Sequence, residues 1–308
     1  MTTEQYIKNL TTPVGAVDVI LDTDAYNEID DQFAIAYLLH CGEKLNIKGF
    51  CAAPFFNNHS ESPADGMERS YQEILKVLKL AGREELTKSV YKGSKTYLPN
   101  EKTPVESEGA SFMANLADSY SPEKPLYIVA IGAITNVASA ILKNPRMAEN
   151  TVVVWLGGKG HHMPEGVREF NMRQDIAAAR VVMGCGVPFV QLPCAGVVDR
   201  FATTGPELSY WLADKNPLAD YLARNTIREA ESYAYGKPWS RVIWDVTAVA
   251  WLMNDGERFM RDRLCPSPIA EYDCHYAVDT TRHFMKYVYE IHRDALFEEL
   301  FGRLGEAK

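Results

Sequence analysis

The stretch that decides the fold is Val17–Asp31, which reads VDVILDTDAYNEIDD. It opens with an apolar, β-branched run that predicts a buried strand, and Asp30–Cys41 follows with apolar residues at helical spacing. Further strand-like runs alternate with helical patterns, among them Ile47–Ala53, Leu126–Ile131, Val152–Leu156 and Val187–Leu192. This alternation predicts an α/β fold with a mostly parallel, doubly wound central sheet and flanking helices.

The pattern after Val198 is predominantly helical. Helices are predicted over Glu207–Arg224, Asp245–Met253 and Ile291–Leu304. No linker, low-complexity tract or internal repeat divides the 308 residues. We therefore expect residues 1–308 to form a single domain, with these helices packed around the sheet.

Composition narrows the possible partners. Lys and Arg total 32 against 41 Asp and Glu, a net charge of −9, whereas nucleic-acid binding needs clustered cations. No apolar run reaches the roughly 18 residues of a membrane helix. The N-terminus lacks the apolar segment of a secretion signal, and the six cysteines form no CxxC pair. We expect a cytoplasmic protein with reduced thiols that binds a small molecule and neither nucleic acid nor membrane.

Five acidic residues lie within ten positions: Asp22, Asp24, Glu28, Asp30 and Asp31. Helix capping and favourable placement at a helix start account for one or two of them. Like charges packed closely repel unless a cation intervenes, and carboxylate oxygens suit Ca²⁺ or Mg²⁺. Ligands of open α/β sheets bind beyond the carboxyl ends of the strands, where this cluster falls. The sequence therefore predicts a divalent metal site.

A strand ending in DxD, followed by DD at a helix start, resembles the inosine-uridine-preferring nucleoside hydrolase family. A strand ending in DxD is also found in HAD-type Mg²⁺ phosphatases, but that pattern gives Asp30 and Asp31 no role. Four later segments resemble the hydrolase family in the right order. They are APFFN (53–57), IGAITN (131–136), EFN (169–171) with Asp175 after it, and WD (244–245).

The resemblance implies hydrolysis of an N-glycosidic bond by water, through an oxocarbenium-like sugar, with Ca²⁺ as cofactor. The implied Ca²⁺ ligands are Asp24, Asp31, Asp245 and the backbone carbonyl of Ile131. Asp24 would also be the general base. Asp30 would accept a hydrogen bond from a sugar hydroxyl and stabilise the developing cation.

The same resemblance implies a substrate-binding set. Asn57, or Asn58 beside it, would lie behind the water and the metal. Glu169 would hold the 5′-hydroxyl of the sugar and Asn171 the ribose hydroxyls near the metal. Two residues so spaced in an extended loop can reach one ligand. Trp244 stands where the family usually has a His that protonates the base. It could stack on a purine or belong to the core.

Two departures from the family pattern affect the substrate. The family has an Asn six residues before the Glu of EFN, where this chain has Met163 with His161 and His162 beside it. The two histidines could approach the substrate or lie on the surface. The first turn, with Tyr26–Glu28, is two residues longer than usual. Both changes leave the sugar of the substrate open.

These observations leave three candidate functions to be tested. The first is a hydrolase of ribonucleosides, with purine or activated aryl ribosides preferred over uridine, or of a related glycosyl compound. The second is a sensor of nucleosides or other carbohydrates on the same scaffold, and the third is a HAD-type phosphatase. The aromatic segment 233–239, YAYGKPW, could cover the site, belong to the core or contact another subunit, and we expect a homo-oligomer, either a dimer or a tetramer.

Overall fold

The computed structural model describes residues 1–306. Eight longer strands form one sheet, and four two-residue strands pair off outside it. In chain order the strands are β1 (Val17–Thr23), β2 (Leu45–Ala52), β3 (Val90–Lys92), β4 (Leu126–Ala130), β5 (Thr151–Leu156), β6 (Phe189–Leu192), β7 (Ala202–Thr203), β8 (Arg241–Val242), β9 (Met260–Pro266), β10 (Ile269–Ala270), β11 (Tyr276–Ala277) and β12 (Phe284–Ile291).

The helices fill the connections between strands. They are α1 (Thr3–Asn9), α2 (Asp30–Leu39), α3 (Pro63–Leu80), α4 (Glu108–Leu116), α5 (Thr135–Lys143), α6 (Met147–Asn150), α7 (Phe170–Gln174), α8 (Ile176–Gly184), α9 (Gly205–Trp211), α10 (Pro217–Ala234), α11 (Val246–Leu252) and α12 (Arg293–Gly305). Within residues 1–306, no helix is long and apolar enough to cross a membrane.

The sheet order is β3-β2-β1-β4-β5-β6-β12-β9, and every neighbouring pair is parallel except β12 with β9. Side chains alternate between its two faces, as the pleat of a strand requires. In β1, Val19 and Leu21 join one apolar core, whereas Ile20 joins the other. Helices α2 and α11 contribute to the first core, and α5 and α8 to the second. The predicted doubly wound α/β fold is confirmed.

The prediction that the chain becomes helical after Val198 is wrong for two of the eight strands of the sheet. Strands β9 and β12 form an antiparallel pair that extends the sheet beyond β6. Strand β9 lies at the edge and carries Arg261, Asp262 and Arg263, so it lacks the apolar run of a central strand. Charged residues are usual on edge strands because they discourage pairing with other chains.

Two predicted helices have different bounds. The segment Glu207–Arg224 is not one helix, because α9 ends at Trp211 and α10 begins at Pro217. Asn216 caps α10 through its side chain, and Pro217 occupies the first turn, which is a common helix start. Ile291 does not begin the last helix but ends β12.

Strand β1 lies between β2 and β4, and this position defines the site. Thr23 pairs with Ala52 of β2, and Asp22 pairs with Ala130 of β4. The carboxyl ends of the three parallel strands therefore lie at one edge of the sheet. Residues that follow these strands converge there.

Candidate active site

Three carboxylates converge at this edge. Asp30, Asp31 and Asp245 each offer an oxygen, and the three oxygens lie within 4.8 Å of one another. Asp24 lines the same cavity. All four residues are buried, with at most 3% of their surface exposed. Residues distant in sequence thus form one acidic group, as the resemblance implied.

Helix capping does not account for this group. Asp30 and Asp31 lie in the first turn of α2, whose preceding residue, Ile29, makes no side-chain cap. Asp245 directly precedes α11, yet its carboxylate accepts no capping hydrogen bond. The helix dipole favours carboxylates at these positions only weakly, by about 0.3–1 kcal/mol each. The four carboxylates therefore need another source of stabilisation.

The electrostatics of the group fit a bound cation. Both carboxylate oxygens of Asp24 and one of Asp30 are buried without a hydrogen-bond partner. Burial, and then the charge of Asp31, raises the pKa of Asp24 well above its ordinary value. Burial raises the pKa of Asp31 to about 7. A divalent cation would supply the missing partner, and an all-oxygen donor set suits a hard cation such as Ca²⁺ or Mg²⁺.

Asp22 lies behind this group, at the end of β1. Its Oδ1 accepts a hydrogen bond of 2.8 Å from Asn136 Nδ2, and its Oδ2 has no partner. Burial raises the pKa of Asp22 to about 7. Asn136 comes from the IGAITN segment, and its own Oδ1 accepts from the backbone N–H of Ser94. This amide of α5 therefore joins the end of β1 to the segment that follows β3.

The cavity above the carboxylates has a volume of about 250 Å³ and is lined by residues from six chain segments. This volume lies just below the range of about 300 to 1,000 Å³ that is usual for small-molecule pockets, so it suits a compact ligand. Glu169, Asn171 and Trp244 all line it. Ile131, whose backbone carbonyl is an implied metal ligand, also lines the cavity.

Glu169 and Asn171 reach the cavity from the start of a helix, so the prediction of an extended loop is wrong. Glu169 has an extended backbone and caps α7. Its carboxylate accepts from the backbone N–H groups of Gly158, Asn171 and Met172, at 2.8, 2.9 and 3.1 Å. Asn171 Nδ2 donates to the carbonyls of Ile131 and Leu156, both at 3.1 Å.

Two predicted site residues lie outside the cavity wall. Asn57 Nδ2 donates to Oδ1 of Asn27 at 2.6 Å, and it is Asn27 that lines the cavity. His162 is exposed and is not part of the wall. His161 is half-buried between Tyr276 and Tyr287, and its Nε2 lies 2.9 Å from Gln191 Oε1.

Trp244 is placed where it could both stack on a base and contribute to the core. It lines the cavity and also packs against the core on the α2 side of the sheet. In the upstream aromatic segment, Tyr233 and Tyr235 are exposed, and Trp239 packs against the same core. None of these three lines the catalytic cavity.

Three further polar residues line the cavity: Asn27, Glu28 and Cys194. Asn27 and Glu28 belong to the longer first turn, which the sequence connected with the choice of sugar but not with any individual contact. Cys194 follows β6, and a position beyond the carboxyl end of a parallel strand is the signal that could have found it. Burial raises its pKa well above the ordinary value, so the thiol is uncharged.

Comparison with solved structures defines the class of fold as that of nucleoside hydrolases. A plant nucleoside hydrolase matches with a TM-score of 0.75 at 19% identity, over 94% of this chain and 99% of that one. The chain belongs to the inosine-uridine preferring nucleoside hydrolase family, which matches residues 19–286. The predicted family resemblance is thereby confirmed.

Two relatives align over shorter stretches. Probable uridine nucleosidase 2 of Arabidopsis thaliana is 28% identical over 137 residues, 43% of this chain and 41% of the relative. The inosine-uridine preferring nucleoside hydrolase of Leishmania major is 26% identical over 174 residues, 53% of this chain and 52% of the relative. The chain thus matches about half the length of each relative. The family match favours the hydrolase interpretation over the phosphatase alternative.

Proposed function

We propose that the protein hydrolyses the N-glycosidic bond of ribonucleosides in a Ca²⁺-dependent reaction. The observation that carries the proposal is the buried group of Asp24, Asp30, Asp31 and Asp245, with oxygens that lack partners. Such a group is costly unless it binds a cation or substrate hydroxyls. The cavity above it offers room for one compact ligand.

Asp24, Asp31, Asp245 and the carbonyl of Ile131 would hold the Ca²⁺. When bound, Ca²⁺ would orient the attacking water and two sugar hydroxyls and offset the negative charge of the carboxylates. The chain prepares these ligands through neighbouring contacts. Thr23 Oγ1 donates to Oδ1 of Asp31, and Asn171 Nδ2 holds the Ile131 carbonyl. These contacts fix the orientation of two of the four ligands before any cation binds.

Asp24 is the group we assign as general base. It comes directly after β1, and neither of its oxygens is engaged by the described protein, so it can accept a proton from water. Gly132 leaves the space that this carboxylate needs, since a Cβ there would lie 2.6 Å from Asp24 Oδ1. General-base catalysis typically supplies about 10²–10⁴-fold in rate.

The sugar would lie between Asp30 and the α7 end of the cavity. Asp30 has a buried oxygen without a partner, which can accept a hydrogen bond from a sugar hydroxyl and stabilise the oxocarbenium-like sugar. Glu169 is held in place by three backbone N–H groups. Asn171 uses its amide nitrogen on two backbone carbonyls, which directs its side-chain oxygen to other donors.

Trp244 would contact the leaving base. An indole stacks on an aromatic base with about 1–3 kcal/mol, and a purine presents more surface than a pyrimidine. We therefore propose a preference for purine ribosides, or for activated aryl ribosides, over uridine. The names of the two relatives include uridine, so this preference rests on Trp244 of this chain alone. At this position the family usually has a His that protonates the base. Stacking on Trp244 would give the base a different contact there.

The test is a panel of ribosides incubated with the purified protein. Inosine, guanosine, adenosine, uridine and 4-nitrophenyl riboside would be assayed with Ca²⁺ and with a chelator. We expect sugar release that the chelator abolishes and Ca²⁺ restores, with inosine above uridine. Asp245→Asn should need more Ca²⁺ for activity, whereas Asp273→Asn, whose side chain is 74% exposed, should behave as wild type.

Each alternative has its own outcome in this assay. Binding of a riboside without bond cleavage would favour the sensor. Release of sugar from another glycosyl compound, with none from nucleosides, would favour a different carbohydrate substrate. Uridine cleaved as well as inosine would remove the purine preference while leaving the hydrolase assignment intact.

We further propose that the protein acts in the cytoplasm as a homo-oligomer, a dimer or a tetramer. Exposed aromatic side chains support self-association, because such residues are enriched at interfaces. They include Tyr210, Trp211, Tyr233 and Tyr235. Light scattering on the purified protein measures the assembly directly, and a monomer at working concentrations would refute this part of the proposal.

A further inference from the structure

Glu28 occupies the boundary between two cavities. It lines the catalytic cavity and also a second, polar cavity of about 660 Å³ between the first turn and helix α10. Asn27 is the other residue that lines both. The Glu28 side chain is 41% exposed, so a ligand can reach it. Both residues belong to the turn that is longer than the family pattern.

An arginine fixes the direction of this carboxylate. Arg241 Nη2 donates to Glu28 Oε2 at 2.9 Å, and Arg241 Nε lies 3.4 Å from Oε2 of Glu229 on α10. The Arg241 side chain is only 16% exposed. An ion pair of this kind is more restricted than one on an open surface. Glu28 therefore has a defined orientation at the cavity wall.

The position of the pair identifies which part of the substrate Glu28 meets. Arg241 lies three residues before Trp244, so the ion pair anchors Glu28 beside the segment that carries the indole. Glu169 and Asn171 reach the cavity from the start of α7. If the sugar lies toward α7, the leaving base extends toward Trp244 and Glu28.

The chemistry of Glu28 selects for hydrogen-bond donors. An ionised carboxylate only accepts hydrogen bonds. Arg241 engages Oε2, while Oε1 accepts no hydrogen bond within residues 1–306. An amino group on a base can donate to that oxygen, whereas a base that presents a carbonyl oxygen instead would be repelled. Adenine, guanine and cytosine carry such amino groups.

We propose that Glu28 determines specificity for ribosides whose leaving base bears an exocyclic amino group, and that Arg241 positions it. The inference rests on the proposed function and names the substrate class within it. Guanosine would be favoured over inosine, or adenosine over purine riboside. Each pair differs only by one amino group, so the comparison isolates the contact.

The test measures kcat/KM for both pairs in the Ca²⁺-supplied protein, with 4-nitrophenyl riboside as a reference that lacks an amino group. We expect at least one pair to favour the amino-bearing member by about 10-fold or more, in line with a hydrogen bond to a charged group. Glu28→Ala should bring that ratio to within about twofold. Glu231→Ala removes the same charge from an exposed position on α10 and should keep the wild-type ratio.

Arg241 is tested as a positioning residue. Arg241→Met should lower the amino preference as Glu28→Ala does, and Arg241→Lys should restore part of it, since a lysine can still pair with Glu28. Thermal melting of each variant reports on folding. A loss of activity that is equal for all substrates, 4-nitrophenyl riboside included, would show that Arg241 acts on stability or catalysis and would overturn its assigned role.

The two proposals fail differently. Cleavage of ribosides without an amino preference, or a preference that survives in Glu28→Ala, overturns the inference and leaves the hydrolase assignment standing. Cleavage of no riboside, including 4-nitrophenyl riboside, overturns the proposed function and with it this inference.

Discussion

Removing the cation should destabilise the protein, and the effect should depend on pH. Without a cation, the Asp31 carboxyl is buried among like charges, and burial raises its pKa to about 7 from an ordinary value of 3.8. Between these values the folded state keeps a proton that the unfolded state has released. The stability of the cation-free protein therefore falls as the pH rises from about 4 to about 7.

The size of this effect follows from the pKa. One titrating group changes the free energy of unfolding by about 1.4 kcal/mol per pH unit, or about 4 kcal/mol over a window of roughly three units. This is a large share of the about 5–15 kcal/mol that stabilises a typical protein. At about 2–4 °C per kcal/mol for a chain of this size, Ca²⁺ should raise the melting temperature by about 10 °C at about pH 8.

The assay is thermal unfolding with and without Ca²⁺ at about pH 5 and about pH 8. At the lower pH, protons compete with the cation for the carboxylates, so the Ca²⁺ effect should be small. Asp31→Asn should melt higher than wild type in chelator at the higher pH and respond little to Ca²⁺, while Asp273→Asn should respond fully. A melting temperature that Ca²⁺ does not change at about pH 8, or one that rises with pH in chelator, would refute the reasoning.

Three further predictions concern the reaction. Asp24→Asn should lower kcat by at least about 10²-fold while circular dichroism shows an intact fold, and an unchanged kcat would remove Asp24 from the mechanism. Trp244→Ala should lower kcat/KM for inosine by about 10–100-fold, the equivalent of a lost stacking contact, and should cost less with uridine. Equal losses would argue against stacking on the base. Gly132→Ala should reduce activity, because the added Cβ would lie 2.6 Å from Asp24 Oδ1, and full activity would show that the carboxylate can move aside.

The sequence was sufficient to predict the central part of the fold and most of the polar residues that line the cavity. Continuous apolar runs predicted the parallel strands, since strands buried on both faces cannot carry many polar residues. The density of carboxylates after β1 predicted a cation site from charge repulsion alone. Asp245, by contrast, was found through the family resemblance, because a single Asp before a helix is indistinguishable from a cap.

What the sequence did not reveal depends on contacts between distant residues. The orientation of Glu28 follows from Arg241, which lies 213 positions further along the chain, and no local pattern encodes that pair. Strand β9 was missed because its alternating charges are typical of an edge, and only the pairing with β12 identifies it as part of the sheet. The break before Pro217 had a readable signal, an Asn followed by Pro.

The acidic group joins residues far apart in the chain, with Asp24 after the first strand and Asp245 before α11. A chain that has folded only its first half holds Asp24, Asp30 and Asp31 but lacks Asp245, and so it cannot complete the site. A cation held by this group would therefore bind fully only after α11 has packed against α2. An interaction that forms after the transition state slows unfolding and leaves the folding rate nearly unchanged. Calcium would then set how long the native state lasts rather than how quickly it is reached.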